Sequence, residues 1–149
     1  MTLSDKEVLQ LNQALFSLAH AYEVRMAAEA ERNVLGLALS DCSVLMVLHQ
    51  FAPINAAQLS RLMDINPGTI SVYVQRLVDK GLVDRERDTD DRRNWWLTLT
   101  ELGQAAAGEV VARAVGYTRD FVSVLATEEQ QALHGSLLKV SHSLGFDWQ

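Results

Sequence analysis

The sequence predicts a mainly α-helical fold with a small β-hairpin wing: a winged helix-turn-helix extended by long helices at both ends. Three observations predict it. Residues 55–80 read as two short helices separated by Met63-Asp64-Ile65, the pattern of a helix-turn-helix. Gly81 to Thr100 then reads as a strand, a charged loop and a second strand, with Arg92 and Arg93 side by side at the loop tip. Long stretches of helical periodicity flank this unit on both sides.

The elements follow in order. Ser4-Asp5-Lys6-Glu7 has capping-box spacing, with Ser4 as N-cap and Glu7 at N3. Val8, Leu11, Leu15, Leu18 and Tyr22 recur at steps of three and four, so one apolar stripe runs along a first helix reaching about Arg32. Asn33 and Gly36 punctuate its end. Ser40 is the expected cap of a second helix, which turns Val44, Leu45, Leu48 and Phe51 inward and stops before Pro53. Asn55, with Gln58 at N3, caps a third helix whose Leu59 and Leu62 face the core with Ile65. Asn66-Pro67 is an N-cap followed by proline at N1, and it opens a fourth helix running to Lys80, with Gly81 ending it.

In the second strand, alternation places Trp95 with Leu97 and Leu99 toward the core and turns Trp96 outward with Asn94 and Thr98. Thr100 caps a long fifth helix carrying Ala105, Ala106, Val110, Val111, Val115, Phe121, Val122 and Leu125. Gly103, Gly108 and Gly116 weaken its intrinsic propensity by up to about 1 kcal/mol each, so packing must compensate. Thr127-Glu128-Glu129-Gln130 reads as a further capping box, opening a last helix with Leu133, Leu137, Val140 and Leu144 on one face. No internal repeat, low-complexity tract or flexible linker interrupts the 149 residues, which fit one domain.

Composition narrows the function class. No apolar run reaches the roughly 18 residues that span a bilayer. The N-terminal residues lack the basic and apolar regions of a secretory signal, and a single cysteine suits a reducing compartment, so a cytoplasmic protein is expected. The net charge is −6, but its distribution matters more than its sum for a nucleic-acid partner. Between Asn55 and Thr100, Arg61, Arg76, Lys80, Arg85, Arg87, Arg92 and Arg93 balance Asp64, Asp79, Asp84, Glu86, Asp88, Asp90 and Asp91. A DNA face therefore needs its arginines outward and its acids paired or turned away, which predicts modest affinity with steep salt sensitivity. No nucleophile–base pair, Gly-rich phosphate loop or metal motif points to an enzyme or a cofactor. His20, His49, His134 and His142 are scattered without Glu or Cys at ligand spacing, so no metal site is expected.

With this order of elements, the chain resembles the MarR family (multiple antibiotic resistance regulators). The resemblance rests on Leu77-Val78-Asp79-Lys80-Gly81-Leu82-Val83, on Asp88-Thr89-Asp90-Asp91-Arg92-Arg93, and on Leu97-Thr98-Leu99-Thr100-Glu101-Leu102-Gly103. These match the family's L-x-x-K/R-G-L-V element, D-x-x-D-R-R wing tip and L-T-x-x-G strand-to-helix junction. The resemblance covers nearly the whole chain. It implies an obligate homodimer whose first, fifth and sixth helices interlock. Residues 1–36 and 101–149 are then the dimerisation helices, and 37–100 the DNA-binding lobe. It also implies transcriptional regulation, usually repression, relieved by a small aromatic or lipophilic ligand or by thiol oxidation. A module of the same fold that has lost DNA binding and serves protein interaction is the alternative reading.

Site residues follow from the helix-turn-helix and the hairpin. Ile70, Tyr73, Val74 and Leu77 form the core stripe of the fourth helix. Thr69, Ser71, Val72, Gln75 and Arg76 take the other face, where DNA contact is expected. Thr69 and Ser71 suit phosphate or base edges, Gln75 adenine, and Arg76 guanine or phosphate. Val72 departs from the family's pattern, in which arginine is common; it suits a thymine methyl and removes one charge. Arg92 and Arg93 are the candidate minor-groove or backbone contacts, since a narrow A·T groove concentrates negative potential. By resemblance, Asp91 pairs with Arg93 and orients the wing. Arg61, Arg85 and Arg87 are weaker phosphate candidates. A ligand cleft is expected where the dimerisation helices meet the lobe, with Tyr22, Cys42 and Met46 as candidates by location. Cys42 is read as inert packing rather than a redox sensor.

Overall fold

The structure, a computed structural model, describes residues 2–31 and 35–146. Its elements are α1 (Asp5–Glu31), α2 (Leu39–Phe51), β1 (Ile54–Asn55), α3 (Ala56–Met63), α4 (Pro67–Asp79), β2 (Val83–Arg87), β3 (Trp95–Leu99), α5 (Glu101–Val122) and α6 (Thr127–Ser143). It is a mostly helical molecule with one small antiparallel sheet, as expected. Arg32 and Asn33, the expected end of the first helix, lie outside the described residues.

Several helices begin where local chemistry dictates. Ser4 N donates to Glu7 Oε2 at 2.8 Å, and Glu7 N to Ser4 Oγ at 3.4 Å. The Ser4 hydroxyl, donating to Glu7 Oε2 at 2.6 Å, and after it the Ser4 N–H hold the Glu7 carboxyl below its ordinary range. Asn55 and Gln58 exchange the reciprocal pair of a capping box at 2.9 Å each. Asn66 Oδ1 accepts from Thr69 N, and Thr100 Oγ1 from Gly103 N, both at 2.9 Å. α4 is one residue shorter than expected: Lys80 is its cap, and Gly81 follows at φ +71°.

Two caps differ from the sequence reading. α2 starts at Leu39 with Ala38 as N-cap, and Ser40 lies inside it. Asp41 at N3 accepts from Ala38 N at 3.0 Å, while the Ser40 hydroxyl is taken by Arg76. In α6 the N-cap is Ala126, whose N–H donates to Glu129 Oε2 at 2.8 Å. The register is one residue earlier than expected, because the Glu129 carboxylate reaches back while Gln130 instead donates to Leu125 O at 3.0 Å.

The core is built from Val44, Leu45 and Leu48 of α2, Leu59 of α3, Ile70, Val74 and Leu77 of α4, and Leu82, Val83 and Leu97 around the sheet. α5 closes it with a stripe of small residues, Gly103, Ala106, Ala107 and Ala114, around Val110. Ala105 and Val115 are exposed, because they stand off the face that Gly103, Ala106, Ala107, Val110 and Ala114 turn to the core.

The sheet has three strands in the order β1-β3-β2, one more than expected. β1 pairs Ile54 with Leu97 and Asn55 with Trp96; β2 pairs Val83 with Leu99 and Arg87 with Trp95. Two residues are too few to show the period-2 pattern by which a strand is read from sequence.

The stripe of α1 exists but meets no partner over most of its length. Val8, Leu11, Leu15 and Leu18 are about half exposed, and among the described residues of the helix only Met26 is buried. α6 buries none of its residues, and Leu137, Val140 and Leu144 face outward.

Candidate nucleic-acid interface

The helix-turn-helix is set by its turn. Asp64 adopts a left-handed conformation at φ +52°, and the Ser60 hydroxyl donates to Ile65 O. Together these lock the turn from which α4 departs. Ile70, Val74 and Leu77 anchor α4 in the core and leave its opposite side outward.

On that side Val72 is 56% exposed, and Ser71 is exposed with its hydroxyl donating to Pro67 O at 2.9 Å. Thr69 is half-buried. Gln75 is exposed and bonded at both ends of its amide, to Asp79 and to Arg85. Arg76 behaves differently from the expectation. Its Nε and Nη2 donate to Asp41 Oδ1 at 3.0 and 2.7 Å, and Nη2 also donates to Ser40 Oγ at 2.8 Å. The guanidinium also lies 5.0 Å from the Tyr73 ring centroid. Arg76 therefore ties α4 to α2, an ion pair across 35 residues that no local pattern reveals.

The wing loop is organised around Asp88. Its carboxylate accepts from Asp90 N at 2.8 Å, Asp91 N at 3.4 Å and Trp96 Nε1 at 3.0 Å. The Asp90 N–H is the main reason its carboxyl sits below the ordinary range. Arg87 Nε donates to Arg92 O at 2.8 Å and its guanidinium lies 5.6 Å from the Trp95 ring centroid. Asp91 Oδ1 accepts from Arg93 N at 3.0 Å and lies 3.5 Å from Arg93 Nε, while the Arg93 side chain remains 95% exposed. Arg92 is exposed beside it. The carboxylates of Asp88 and Asp91 are thus used inside the wing, Asp90 stays exposed, and the loop's two arginines project from the tip.

Trp96, expected to face outward, is half-buried and packs on the wing, its Nε1 donating to Asp88 Oδ2. Trp95 does not reach the core: it is 46% exposed. It shares a face with Leu97, but it stands at the end of the hairpin, where it lines a shallow surface cavity with Ser71, Arg85 and Ala56. Arg61 lines a different shallow cavity, with Phe51, Gln58 and Gly145.

A larger cavity of about 760 Å³ opens between α1, α2, α3 and α5, with Tyr22, Met26, Met46, Met63 and Val111 in its wall. Tyr22 and Met46 are where the sequence places a ligand cleft. Cys42 is not in the wall; it is buried in the core. Burial and, secondly, the negative charge of Asp41 push its thiol pKa up, despite Arg113. That is the environment of an inert thiol.

A prediction follows for Cys42. The native protein at pH 8 reacts with a chromogenic thiol reagent many-fold more slowly than the protein in denaturant. The folded thiol also holds its proton more tightly than the unfolded one. Its stabilising contribution is complete below the unfolded value of about 8.5 and is lost as pH rises through the folded one. Chemical unfolding at successive pH values shows a smaller alkaline decline for Cys42→Ala.

The helix-turn-helix, the three-stranded sheet and the projecting hairpin define a winged-helix protein. Within that class, the model of the MarR family matches residues 37–95. The HTH-type transcriptional repressor MdtR of Bacillus subtilis is 26% identical over 135 residues, covering 90% of this chain and 86% of that one. A MarR transcriptional regulator from Methanosarcina mazei has a crystal structure that superposes with a TM-score of 0.79 at 26% identity, covering 91% of this chain and 95% of that one. FabT of Streptococcus pneumoniae, crystallised in complex with DNA, shares the fold with a TM-score of 0.80 at 18% identity, covering 93% and 97%. The lobe of residues 37–95 thus matches the MarR family model, and nearly the whole chain is similar to MarR-type transcriptional regulators.

Proposed function

We propose that this protein is a homodimeric, sequence-specific DNA-binding regulator of transcription, a repressor relieved by a small aromatic or lipophilic ligand. The observation that carries the DNA reading is the wing. Arg92 and Arg93 project from its tip while Asp88 and Asp91 are held in loop hydrogen bonds. Beside it, α4 offers Ser71, Val72 and Gln75 on an exposed face, with Thr69 at its edge. In this reading α4 enters a major groove, the wing follows the adjacent minor groove, and Asp91 orients Arg93. Arg87 and Arg61 serve at most as phosphate contacts, and Arg76 holds the lobe together.

The homodimer is supported by the apolar stripes of α1 and α6, which the described residues of one chain leave exposed. In the corresponding division, residues 1–36 and 101–149 carry the dimer and 37–100 the DNA-binding lobe. Two-fold symmetry then requires a pseudo-palindromic site with half-sites about one turn, near 10 bp, apart. Sedimentation equilibrium is expected to give twice the 16.6 kDa chain mass, and Leu15→Asp a monomer. The cavity near Tyr22 and Met46 supports the effector: its apolar walls join α1 to the lobe. A ligand there shifts the dimer between states only by binding one of them better. The protein acts in the cytoplasm, where a bacterial-type operator is accessible.

The DNA reading is tested by the salt dependence of binding to duplex DNA. Arg92→Ala and Arg93→Ala are each expected to weaken binding across all sequences and to lower the salt slope by about one. Fluorescence anisotropy at a series of salt concentrations measures both. The commitment of Arg76 to Asp41 removes one base from the face of α4, and the chain carries a net charge of −6. That favours the interaction module as second reading. A folded dimer that binds no duplex even at low salt selects it.

A further inference from the structure

The Gln75 amide is held in one orientation. Its Nε2 donates to Asp79 Oδ1 at 2.7 Å, one turn further along α4. Its Oε1 accepts from Arg85 Nη1 at 2.9 Å, reaching across from β2. All three residues are exposed. A free glutamine amide turns over readily and presents its donor and acceptor in either order. A carboxylate only accepts and a guanidinium only donates, so turning this amide over sets N–H against N–H and oxygen against oxygen. The Asp79 and Arg85 pair therefore fixes nitrogen toward the end of α4 and oxygen toward β2.

The amide is not used up. One of the two Nε2 hydrogens and one of the two Oε1 lone pairs remain. That residual pattern, one donor beside one acceptor, matches the N7 acceptor and N6 donor of adenine in the major groove. A T·A pair presents the same groups in the reverse order along the groove. An amide free to turn over reads either; an amide held at both ends reads one.

We propose that Arg85 is a positioning residue for specificity: acting through Gln75, it sets which strand carries one adenine of each half-site. This rests on the DNA-binding reading above. Arg85 itself leaves the base untouched.

The test is selection from a random-sequence duplex pool, followed by competition between duplexes differing at one base pair. Wild type is expected to prefer A·T over T·A at one position per half-site, on the order of ten-fold. Gln75→Ala loses that preference. Arg85→Ala brings A·T and T·A close to equal at the same position and keeps the remaining positions. Arg85→Lys, which still donates, retains most of the preference. Thermal unfolding of each variant checks that the fold is intact. Unchanged discrimination in Arg85→Ala overturns the proposal. So does a uniform loss of affinity with a lower salt slope, which assigns Arg85 to a phosphate. A folded wild-type dimer that selects nothing overturns the DNA-binding reading, and this inference with it.

Discussion

Gly103→Ala is expected to destabilise the protein by about 3 kcal/mol or more. A Cβ at that position lies 1.8 Å from Leu82 O and 2.8 Å from Leu82 C, both main-chain atoms. No rotamer relieves such an overlap, so the junction between β3 and α5 must move. That junction is tightly tied. Thr100 N donates to the same Leu82 O at 3.1 Å, the Thr100 hydroxyl donates to Gly81 O at 2.7 Å, and Thr100 Oγ1 caps α5. Moving α5 away breaks the bonds that join the end of α4 to the sheet. Gly108→Ala in the same helix is the control. Nothing lies within 4 Å of its added Cβ, so the gain in helix propensity shows, about 0.5–1 kcal/mol of stabilisation. Urea unfolding followed by circular dichroism separates the two. Equal midpoints for both variants contradict the close approach.

Asp41→Ala is the second large effect, an expected loss of about 2–4 kcal/mol. Asp41 is 1% exposed and receives Ala38 N–H on one oxygen and the Arg76 guanidinium on the other. Its removal leaves the Ala38 N–H without its acceptor and the half-buried Arg76 guanidinium with the neutral Ser40 Oγ in place of a carboxylate. The Arg76 side chain is 40% exposed, so water recovers part of the loss, which keeps the figure below that of a fully buried pair. Asp41→Asn falls between, since an amide oxygen still accepts from Arg76 while the charge is gone. A double-mutant cycle with Arg76→Ala is expected to give a coupling of about 1 kcal/mol or more. Additive single effects contradict the latch.

What the sequence reveals here divides by range. Caps satisfied within three residues are legible: Ser4 with Glu7, Asn55 with Gln58, Asn66 with Thr69, Thr100 with Gly103. So are the core stripes of α2 and α4, because their period is that of the helix. Contacts between distant segments are not. Arg76 looks like a surface residue of a recognition helix until the fold brings Asp41 to it. Gly103 reads as a weak helix former, and only the approach of Leu82 explains why a glycine stands at that turn. Trp95 has the alternation of a core residue, but alternation fixes the face and not how far the core extends beneath it. β1 depends on pairing with β3 and leaves no pattern of its own. In the candidate site, Arg92, Arg93 and the exposed side of α4 are legible from the hairpin and the helix-turn-helix. The bonds that hold Gln75 from Arg85 and Asp79 are not.

The central claim is that the lobe reads DNA and that a symmetric pair of lobes reads it twice. Selection of duplexes from a random-sequence pool by the purified protein, at two salt concentrations, tests it most directly. The predicted result is enrichment of a pseudo-palindrome with half-sites about one helical turn apart, sharply weaker at the higher salt. A folded dimer that enriches no sequence at either salt contradicts the claim.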